Sequence, residues 1–571
     1  MSFVPSSAGN GGNTARGTRL LEAALLLTFF TAVTALFFHS WLAQLSVALI
    51  GPPEDNMQDF WNTWYAALEA DPGHFFFTSL LRFPEGTPLV YHSFAYPQVV
   101  VVALLVRGLH LDVGSLVLLQ NLTLLASFPI AAVGAYYLVR HFVDSTTGAL
   151  IGAFLFAFNP SHVEHVMHHA HVSQIEFIPF FVLAYLVALE RRSVALLLAS
   201  IGLYALCALS CWYYLFYIAY FIVFHTAFVA ITTRAVPRRW ALAAPLACLT
   251  GVVIVLSPLL VPMVVAALGS SSVYQPGGDL YVADLLAYPA FPPFHALGAL
   301  GHSVYERLTT NAWEGTVYLG LINLGLAAWL YTAARDTDRR LLAWLLCGAI
   351  VFCVFASGDT LHVLGHRTIP LPNALLSRLP FFKNVRTPSR AIVFVYLFLA
   401  VAVGYAIHLL GRRARSVPAR LLPAALATLI VLDFAPATAL PMTPRVCSPG
   451  LEVIRDDPDR DFGVLDLPSG LPRGYLHGNV YMYQQSCHGR AILQGNISRD
   501  VVTSLRDRLD TTDLARQHEQ LRAARVKYVV INRQPMGVSL KPRAGDADLD
   551  AYTREFPTVY TGPDLTVLKV Y

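Results

Sequence analysis

The chain is 571 residues long, with 55% hydrophobic and only 13% charged residues, and its mean hydropathy is +0.53. Soluble domains carry about 25% charged residues, so this composition excludes an ordinary soluble protein and indicates a polytopic membrane protein. The net charge of +4 comes largely from short arginine clusters between apolar segments, and we therefore expect no nucleic-acid partner.

The order of arginine clusters and apolar segments predicts the topology. Residues 1–19 are too polar to order themselves and are predicted to form a disordered cytoplasmic tail. The positive-inside bias places each later arginine cluster in the cytoplasm, which requires two spans between successive clusters. Eleven segments satisfy this rule: 20–42, 113–139, 147–159, 175–189, 193–210, 212–233, 240–267, 313–334, 341–356, 389–411 and 419–438. The N terminus is then cytoplasmic and the C terminus extracytoplasmic.

Two apolar segments need separate treatment. Segment 97–110 must not cross, because a crossing there would invert every later loop, and we expect it to be re-entrant or interfacial. Segment 147–159 is short for a bilayer, so it either continues into the region of Pro160 or lies obliquely. With these assignments, loops 51–112, 158–174, 270–312 and 357–388 share the outer face, where we expect the functional site.

The first outer loop carries acids at a membrane edge, where carboxylates are costly unless they are used or solvated. Asp55 and Asp59 precede an aromatic face formed by Trp61, Trp64 and Tyr65. These residues predict either a site near the loop or an amphipathic interfacial helix with its aromatic rings at headgroup level.

A histidine-rich stretch, FNPSHVEHVMHHAHVSQ, fills loop 158–174. On a helix, His165 and His169 share a face, as do His168 and His171, so two-ligand metal binding is possible. The sequence lacks an HExxH pattern, which disfavours a metallopeptidase. The alternative is a polar vestibule in which the histidines, with His162, bond to one another or to a ligand phosphate.

Two later outer loops add charged candidates. The Pro/Gly density of 270–312 argues against any helix there, while its aromatic content predicts that it packs back on the protein. Its Asp279 and Asp284 are either ligands or turn caps. Glu314 begins the next span, where a helix dipole favours an anion.

The segment PFFKNVRTPSRAIV places three cations, Lys383, Arg386 and Arg390, near a span predicted to begin at Ser389. Guanidinium groups at an outer helix start suit a phosphate. The alternative is pairing with acids of the Asp55 loop or with lipid headgroups.

From about Pro441 the composition becomes that of a soluble protein. FGVLDLP, AILQGN and KYVVINR predict buried strands, Val501–Arg525 predicts a helix, and TVYTGPDLTVLKVY predicts a hairpin. Residues 441–571 are therefore expected to form a small α/β domain. Outside the cytoplasm Cys447 and Cys487 could form a disulfide.

These motifs together resemble a known superfamily. They are an acidic loop followed by FWNTWY, then LRFPEGTPLVYH, FAFNPSHVEHVMHHAHVSQIEFIP, YVADLLAYPAFPPFHALG, WEGTVYLG and LPFFKNVRTPSR. The chain is similar to GT-C glycosyltransferases, including bacterial YfhO-like proteins. The resemblance implies a mainly α, polytopic membrane fold with a transmembrane part at 20–440.

The resemblance also implies an inverting transferase in the bacterial cytoplasmic membrane that uses a polyprenyl-phosphate sugar. Asp55 matches the catalytic or metal-binding acid of the first outer loop. Because Glu54 precedes it here where relatives usually have Gly, Glu54 or Asp59 could share the role. A general base assists attack by an acceptor hydroxyl, and cations stabilise the departing phosphate. Arg386 and Arg390, with His168 or His171, are the predicted phosphate ligands, together with Lys383.

The predicted partners are this donor, a glycan, lipid or protein acceptor, and membrane lipids. A divalent metal, Mg²⁺ or Mn²⁺, is possible, with Asp55, His165 and His169 as ligands. The candidates for substrate binding are Trp61, Trp64, His92, Asp279, Asp284 and Glu314. The competing hypothesis is a non-catalytic transporter, flippase or assembly scaffold for surface glycans, but transporters tend to show inverted repeats, and none is evident.

Overall fold

The computed structural model of the protein describes residues 12–233, 239–269, 278–334, 339–379, 382, 385–413, 417–436, 439–468, 475–499, 502–510, 512–534, 540 and 548–571. Lys383, one of the predicted phosphate ligands, lies outside these residues. The first helix begins at Gly12. The prediction of disorder is therefore wrong for residues 12–19, whose polar composition does not prevent them from extending the apolar helix that follows.

The N-terminal third begins with a long helix and then folds into a compact outer loop. Its elements are α1 (Gly12–Phe37), β1 (Ala48–Ile50), α2 (Asp55–Trp64), β2 (Phe77–Thr78), β3 (Thr87–Pro88) and α3 (Tyr96–Leu109). A π-helical turn, Tyr65–Glu69, ends α2. Its last carbonyls accept hydrogen bonds from Arg107 of α3, which holds α2 in place because helix ends otherwise leave carbonyls unpaired.

A helical bundle follows and contains most of the hydrophobic core. Its helices are α4 (Val113–Phe142), α5 (Thr146–Ala157), α6 (Pro160–His168), α7 (Ala170–Ser173), α8 (Phe177–Arg191), α9 (Val194–Ser210), α10 (Trp212–Thr233), α11 (Arg239–Gly269), α12 (Gly298–Tyr305), α13 (Ala312–Gly315), α14 (Leu321–Ala333), α15 (Arg339–Ala356), α16 (Asn373–Leu376), α17 (Ile392–Arg413) and α18 (Val417–Phe434). A short hairpin, β4 (Thr360–Val363) and β5 (His366–Pro370), lies between α15 and α16.

The helices confirm the membrane fold. Seven stretches within the described residues are long and apolar enough to cross a bilayer: Gly17–Phe37, Val113–Phe142, Ala170–Arg191, Trp212–Thr233, Arg239–Leu268, Arg339–Ala356 and Pro388–Arg413. Shorter apolar helices, among them Val194–Ser210 and Leu321–Ala333, accompany them. Each of the eleven predicted spans overlaps a helix. The chain is therefore a multi-pass membrane protein.

Helices α5 and α17 cross at very short distance and connect two segments that carry residues of the candidate functional site. A Cβ at Gly148 would lie 2.3 Å from the Gly404 carbonyl oxygen, and one at Gly152 would lie 2.6 Å from the Ala400 carbonyl oxygen. Small residues permit this approach, as is usual between membrane helices. Since α5 leads into α6 and Arg390 directly precedes α17, the crossing sets the distance between those two segments.

We expect the substitution Gly148→Ala to destabilise the protein by about 1–3 kcal/mol, the usual cost of overpacking. The added methyl group would collide with a backbone oxygen that cannot move away alone. Gly202→Ala in α9 is the matched control, because nothing lies within 4 Å of a Cβ there. Thermal unfolding in detergent should show a lower midpoint for Gly148→Ala alone. Equal midpoints for the two variants would contradict the close crossing.

The C-terminal segment builds a mixed sheet on the outer loop. Its elements are β6 (Met442–Pro444), α19 (Pro449–Arg455), β7 (Gly463–Leu467), α20 (Tyr475–His488), β8 (Ala491–Ile492), α21 (Leu505–Arg508), α22 (Leu514–Ala523), β9 (Val526–Asn532), α23 (Leu549–Glu555), β10 (Thr558–Thr561) and β11 (Leu565–Lys569). The strand order is β10-β11-β9-β7-β8, with β7 parallel to β8 and β9. Strand β6 pairs antiparallel with β1 and so ties this segment to the first loop.

The strand predictions are confirmed, as is the disulfide between Cys447 and Cys487. Three helix predictions need correction. Helix 501–525 is divided into α21 and α22, because Asp513 caps a new helix start. The described part of loop 270–312, from residue 278 onward, does contain a helix, α12, although it packs back on the protein as predicted, with Ala283 and Ala287 fully buried. Segment 147–159 does not continue through Pro160, since α5 ends at Ala157 and Asn159 caps α6.

A buried acid in the C-terminal sheet predicts a pH-dependent stability. Burial raises the pKa of Asp466 on β7 to about 8, and a hydrogen bond from Asn532 only partly offsets this. Between about pH 4, where an unfolded Asp ionises, and pH 8 the folded state holds one proton more. Stability therefore falls as pH rises through that window, by at most about 1.4 kcal/mol per pH unit from this group. Relative to the wild type, Asp466→Asn should gain stability between pH 5 and pH 8, measured as thermal midpoints. An advantage that shrinks with pH would contradict the assignment.

Candidate functional site

The site begins at the turn between β1 and α2. Gly51 has a φ of +99°, and a Cβ there would lie 1.9 Å from the Met167 carbonyl oxygen, so the turn packs directly against α6. The Asn56 side chain donates to the carbonyls of Ile50 and Gly51 and fixes the start of α2. Only glycine combines that backbone conformation with that close approach. The turn therefore delivers Asp55 to the histidine-rich stretch.

Helix α6 presents the histidines. Its start is capped by Asn159, whose side chain accepts from the His162 N–H at 2.9 Å. The helix ends at His168 rather than running through 158–174, yet His165 and His169 still meet, with their Nδ1 atoms 3.4 Å apart. His162 is used differently, since its buried ring bonds to the Ala157 carbonyl and stacks on Phe128.

Glu314 and Arg390 form a buried ion pair. Asn311 caps α13 by accepting from the Glu314 N–H at 2.9 Å. Arg390 lies in the 3₁₀ turn Pro388–Ala391 that leads into α17, with its guanidinium 4.8 Å from the centre of the Tyr213 ring. Its Nε lies 3.1 Å from both Glu314 carboxylate oxygens, and a terminal nitrogen also donates to this carboxylate. Such fork geometry is the strong form of a charged hydrogen bond.

The central cluster contains four side chains from separate loops, Asp55, His169, Glu314 and Arg390, and His165 lies beside them. His169 Nε2 lies 3.2 Å from Asp55 Oδ2 and 3.8 Å from Glu314 Oε1, and His165 Nε2 lies 3.9 Å from Glu314 Oε2. Asp55 is therefore connected to Arg390 through His169 and Glu314. Because each of these loops joins the end of a long helix, the cluster lies at one end of the bundle.

A second group of polar side chains, centred on His168, lies beside the central cluster. His168 Nδ1 is 3.5 Å from Glu54 Oε2, and its Nε2 is 3.6 Å from Glu164 Oε2. The ring also stacks on Trp313 at 4.4 Å between centroids. Burial raises the pKa of Glu164 to about 7, although His168 partly opposes this. His168 is thus separated from His171, which lies near His169 instead, with 5.9 Å between ring centroids.

The acids of the first loop differ in charge state. Burial would raise the pKa of Asp55, but hydrogen bonds and charge from His169 and the amide of Asn479 outweigh burial and lower it. Burial raises the pKa of Asp59 to about 8, offset only in part by the Ala170 N–H that its carboxylate accepts at 2.9 Å. At neutral pH Asp55 is therefore ionised and able to accept a proton, whereas Asp59 is mostly protonated.

Glu314 is also held in its charged form. The buried Arg390 guanidinium donates to both oxygens of its carboxylate and so stabilises the negative charge. Burial lowers the pKa of His165 well below its ordinary value, so that ring is neutral. A neutral imidazole is the form that binds metals.

Among the described residues, His165, His169 and Glu314 offer ligand atoms that all lie within 4.8 Å of one another. Two imidazoles and a carboxylate suit Mn²⁺ or Zn²⁺ better than Mg²⁺, which prefers oxygen ligands. Asp55, predicted as a ligand, lies beside His169 but is not one of these three residues. The donor set fits a divalent transition-metal ion that shares the Glu314 carboxylate with Arg390.

Three of the candidate substrate-binding residues are part of a packed core instead of an exposed face. Trp61 and Trp64 are 0% and 2% exposed, so α2 does not present its aromatic rings at headgroup level. The Trp61 indole N–H donates to Gln485 of α20 at 2.7 Å. His92 bonds to Asn62 at 2.7 Å, and burial lowers its pKa to about 3. Trp61 therefore joins the loop to the C-terminal segment, whereas His92 stabilises the loop itself.

The other candidates lie in a neighbouring part of the same loops. Asp279 bonds to Thr360 and pairs with Arg367 of the β4–β5 hairpin, and Asp284 accepts backbone N–H groups from Leu286 and Gly365. Both acids therefore stabilise loop structure. Arg386 is half-buried, with its guanidinium 5.6 Å from the centre of the Tyr281 ring.

Sequence reasoning missed one contact with the central acid. Asn479 of α20 donates to Asp55 Oδ1 at 2.8 Å. It also missed that Glu314 and Arg390 pair with each other. The only sequence signal for that pair is a single acid and a single arginine at the starts of two spans predicted to open on the same face.

Comparison with solved structures identifies the architecture. The oligosaccharyltransferase of Archaeoglobus fulgidus in its apo form matches with a TM-score of 0.55 at 13% identity, covering 94% of this chain and 73% of that chain. The same enzyme tethered to an acceptor peptide containing the NVT sequon matches with a TM-score of 0.53 at 15% identity, covering 90% and 69%. AglB of that archaeon, in complex with an inhibitory peptide and a dolichol-phosphate, matches with a TM-score of 0.52 at 14% identity, covering 90% and 70%.

At these identities the similarity establishes the fold alone, and that fold is the GT-C membrane fold. No curated protein matches the chain. The family model described as "Domain of unknown function (DUF6311)" matches residues 23–435. Because this match spans well over half of the 571 residues, the chain belongs to the DUF6311 family.

Proposed function

We propose that the protein is a membrane glycosyltransferase that moves a sugar from a polyprenyl-phosphate donor to an acceptor hydroxyl. The observation that carries this proposal is the convergence of Asp55, His169, Glu314 and Arg390 from four loops at one end of a GT-C bundle. A charged cluster of this kind at the edge of a membrane is costly unless it has a function.

The solved structures of similar fold support a lipid-linked donor. One of them is an oligosaccharyltransferase bound to a dolichol-phosphate, which is a polyprenyl-type lipid phosphate. Another carries an acceptor peptide. A lipid-phosphate donor also accounts for a site placed where apolar helices meet a polar outer loop.

The reaction we propose is a direct displacement at the anomeric carbon. The acceptor oxygen forms the new bond to that carbon while the bond to the phosphate oxygen breaks, and the electron pair leaves with the polyprenyl phosphate. The hydroxyl proton passes to the ionised carboxylate of Asp55, which is the general base. Displacement from the opposite face inverts the anomeric configuration.

The departing phosphate needs positive charge. We assign Arg386 and Arg390 to it, together with His168 or His171, since guanidinium groups bind phosphate through paired N–H donors. In this arrangement Arg390 also holds Glu314. A divalent transition-metal ion such as Mn²⁺, held by His165, His169 and Glu314, would supply Lewis-acid stabilisation of the leaving phosphate.

Four further assignments made from the sequence stay predictions: the side of the membrane, the bacterial group, the domain boundaries and the acceptor. The positive-inside bias places the site on the outer face of the cytoplasmic membrane. Membership of the bacterial YfhO-like group and the division into a transmembrane part, 20–440, and a C-terminal domain, 441–571, belong to the same proposal. The acceptor is a glycan, lipid or protein of the cell envelope.

The proposal and its rival, a transporter or flippase, separate in proteoliposomes loaded with a panel of labelled polyprenyl-phosphate sugars. A transferase moves the label onto an added envelope acceptor and releases free polyprenyl phosphate. A flippase moves the intact labelled lipid between leaflets and leaves the sugar–phosphate bond unbroken. Translocation without bond cleavage across the panel would overturn the proposed function.

A further inference from the structure

Asn479 joins the C-terminal segment to the acid at the centre of the site. It lies on α20, more than 400 residues from Asp55 in sequence, and its Nδ2 donates to Asp55 Oδ1 at 2.8 Å. The same nitrogen lies 3.3 Å from the Glu54 carbonyl oxygen. Asn479 is buried, with 1% of its surface exposed, whereas the Asp55 side chain is 40% exposed.

We infer that Asn479 is a positioning residue that holds the Asp55 carboxylate in its reactive orientation. The inference rests on the proposed function of Asp55. It makes the C-terminal segment part of the catalytic apparatus rather than a cover over the outer loop.

The orientation of the Asn479 amide is fixed by a second amide. Asn496 Nδ2 donates to Asn479 Oδ1 at 2.8 Å. Because the oxygen of Asn479 accepts from Asn496, its NH₂ group must face Asp55. The backbone around Asn496 is held in turn by Gln58 of α2, whose Nε2 donates to the Asn496 carbonyl at 2.6 Å.

Helices α2 and α20 pack side by side, and the contact between Asp55 and Asn479 is one of several along their length. Along α2 and α20, Asp55 faces Asn479, Phe60 faces Tyr483 with ring centroids 5.8 Å apart, and Trp61 bonds to Gln485. Each pair is separated by nearly the same sequence offset, so the helices run parallel in one register. Close packing within the C-terminal segment also holds Asn479 beside Asn496, since a Cβ at the adjacent Gly478 would lie 2.8 Å from the Asn496 nitrogen.

Both carboxylate oxygens of Asp55 are restrained, one by Asn479 and the other by His169. Oδ1 accepts from Asn479, and Oδ2 lies 3.2 Å from His169 Nε2. Without the amide the half-exposed carboxylate could rotate about its side-chain bonds. Supporting hydrogen bonds of this kind typically change activity by about 10- to 100-fold when they are removed.

The test compares Asn479→Ala and Asn479→Asp with Glu85→Ala in the transfer assay, using the full-length protein. Asn479→Ala should lower kcat about 10- to 100-fold while KM for the polyprenyl-phosphate sugar changes less than about threefold. Asn479→Asp has the same shape but sets a carboxylate against Asp55 and should lower kcat further. Glu85 of the first outer loop contacts the C-terminal segment elsewhere, since its carboxylate accepts from the Leu505 N–H at 3.2 Å and pairs with Arg508. Glu85→Ala breaks that contact without touching Asp55, Asn479 or Asn496, and its kcat should match the wild type.

Activities are expressed per folded molecule, with the folded fraction taken from gel filtration and thermal unfolding. A kcat within threefold of the wild type for Asn479→Ala would overturn the inference. Equal losses for Asn479→Ala and Glu85→Ala would also overturn it, because docking of the segment would then explain both. Absence of transfer by the wild type across the donor panel instead defeats the proposed function and removes the basis of the inference.

Discussion

Asp55→Asn should reduce sugar transfer by about 10²- to 10⁴-fold, the usual contribution of a positioned general base. The substitution removes the negative charge but keeps the shape, so an amide oxygen can still accept from Asn479 and an amide nitrogen can face His169. Folding should therefore be intact, with a thermal midpoint close to that of the wild type. The measurement is the initial rate of labelled sugar transfer per folded molecule.

Two neighbouring acids, Asp59 and Glu54, provide control variants for this prediction. Asp59 is already mostly protonated at neutral pH, and an Asn in its place could still accept from the Ala170 N–H. Asp59→Asn should therefore cost at least tenfold less activity than Asp55→Asn. Glu54, which faces His168, is tested in the same way with Glu54→Gln. If either control variant loses as much activity as Asp55→Asn, the base has been assigned to the wrong carboxylate.

Breaking the Glu314–Arg390 pair should produce the largest loss of stability. Both side chains are buried, at 4% and 7% exposed, and removing one partner leaves the other charge unpaired. Such changes typically cost about 3–5 kcal/mol. We expect Arg390→Met and Glu314→Leu each to lower the unfolding midpoint and the yield of folded protein, measured by detergent unfolding curves.

The double variant Glu314→Leu with Arg390→Met separates pairing from packing. When both charges are replaced by apolar groups of similar size, no unpaired charge is buried, and the cost is usually small. The double variant should therefore be more stable than Arg390→Met alone. A double loss equal to the sum of the two single losses would show that the side chains do not act as a pair.

The sequence predicts the local features of this fold well. Seven of the spans are long apolar runs, and the strands around Leu465 and Val529 are β-branched or aliphatic runs ended by turn residues. These signals are local, because they depend on hydropathy and spacing within some twenty residues. The same logic brings Asp55, His169, Glu314 and Arg390 to one end of the bundle, since their loops alternate with spans.

Contacts between distant segments could not be predicted in this way. Asn479 lies in a helix without a recognisable motif, and its contact with Asp55 depends on the docking of α20 on α2. The burial of Trp61 follows from the same docking, although the aromatic face of its segment suggested a position at headgroup level. A single sequence gives the charge of Glu314 and Arg390 but not their distance.

The most direct test of the central claim is mass spectrometry of the products formed by purified wild-type protein and by Asp55→Asn from polyprenyl-phosphate sugars and an envelope acceptor fraction. The account predicts free polyprenyl phosphate and an acceptor heavier by one sugar for the wild type, and neither product for Asp55→Asn. Intact donor in every wild-type reaction, or equal product from both proteins, would contradict it.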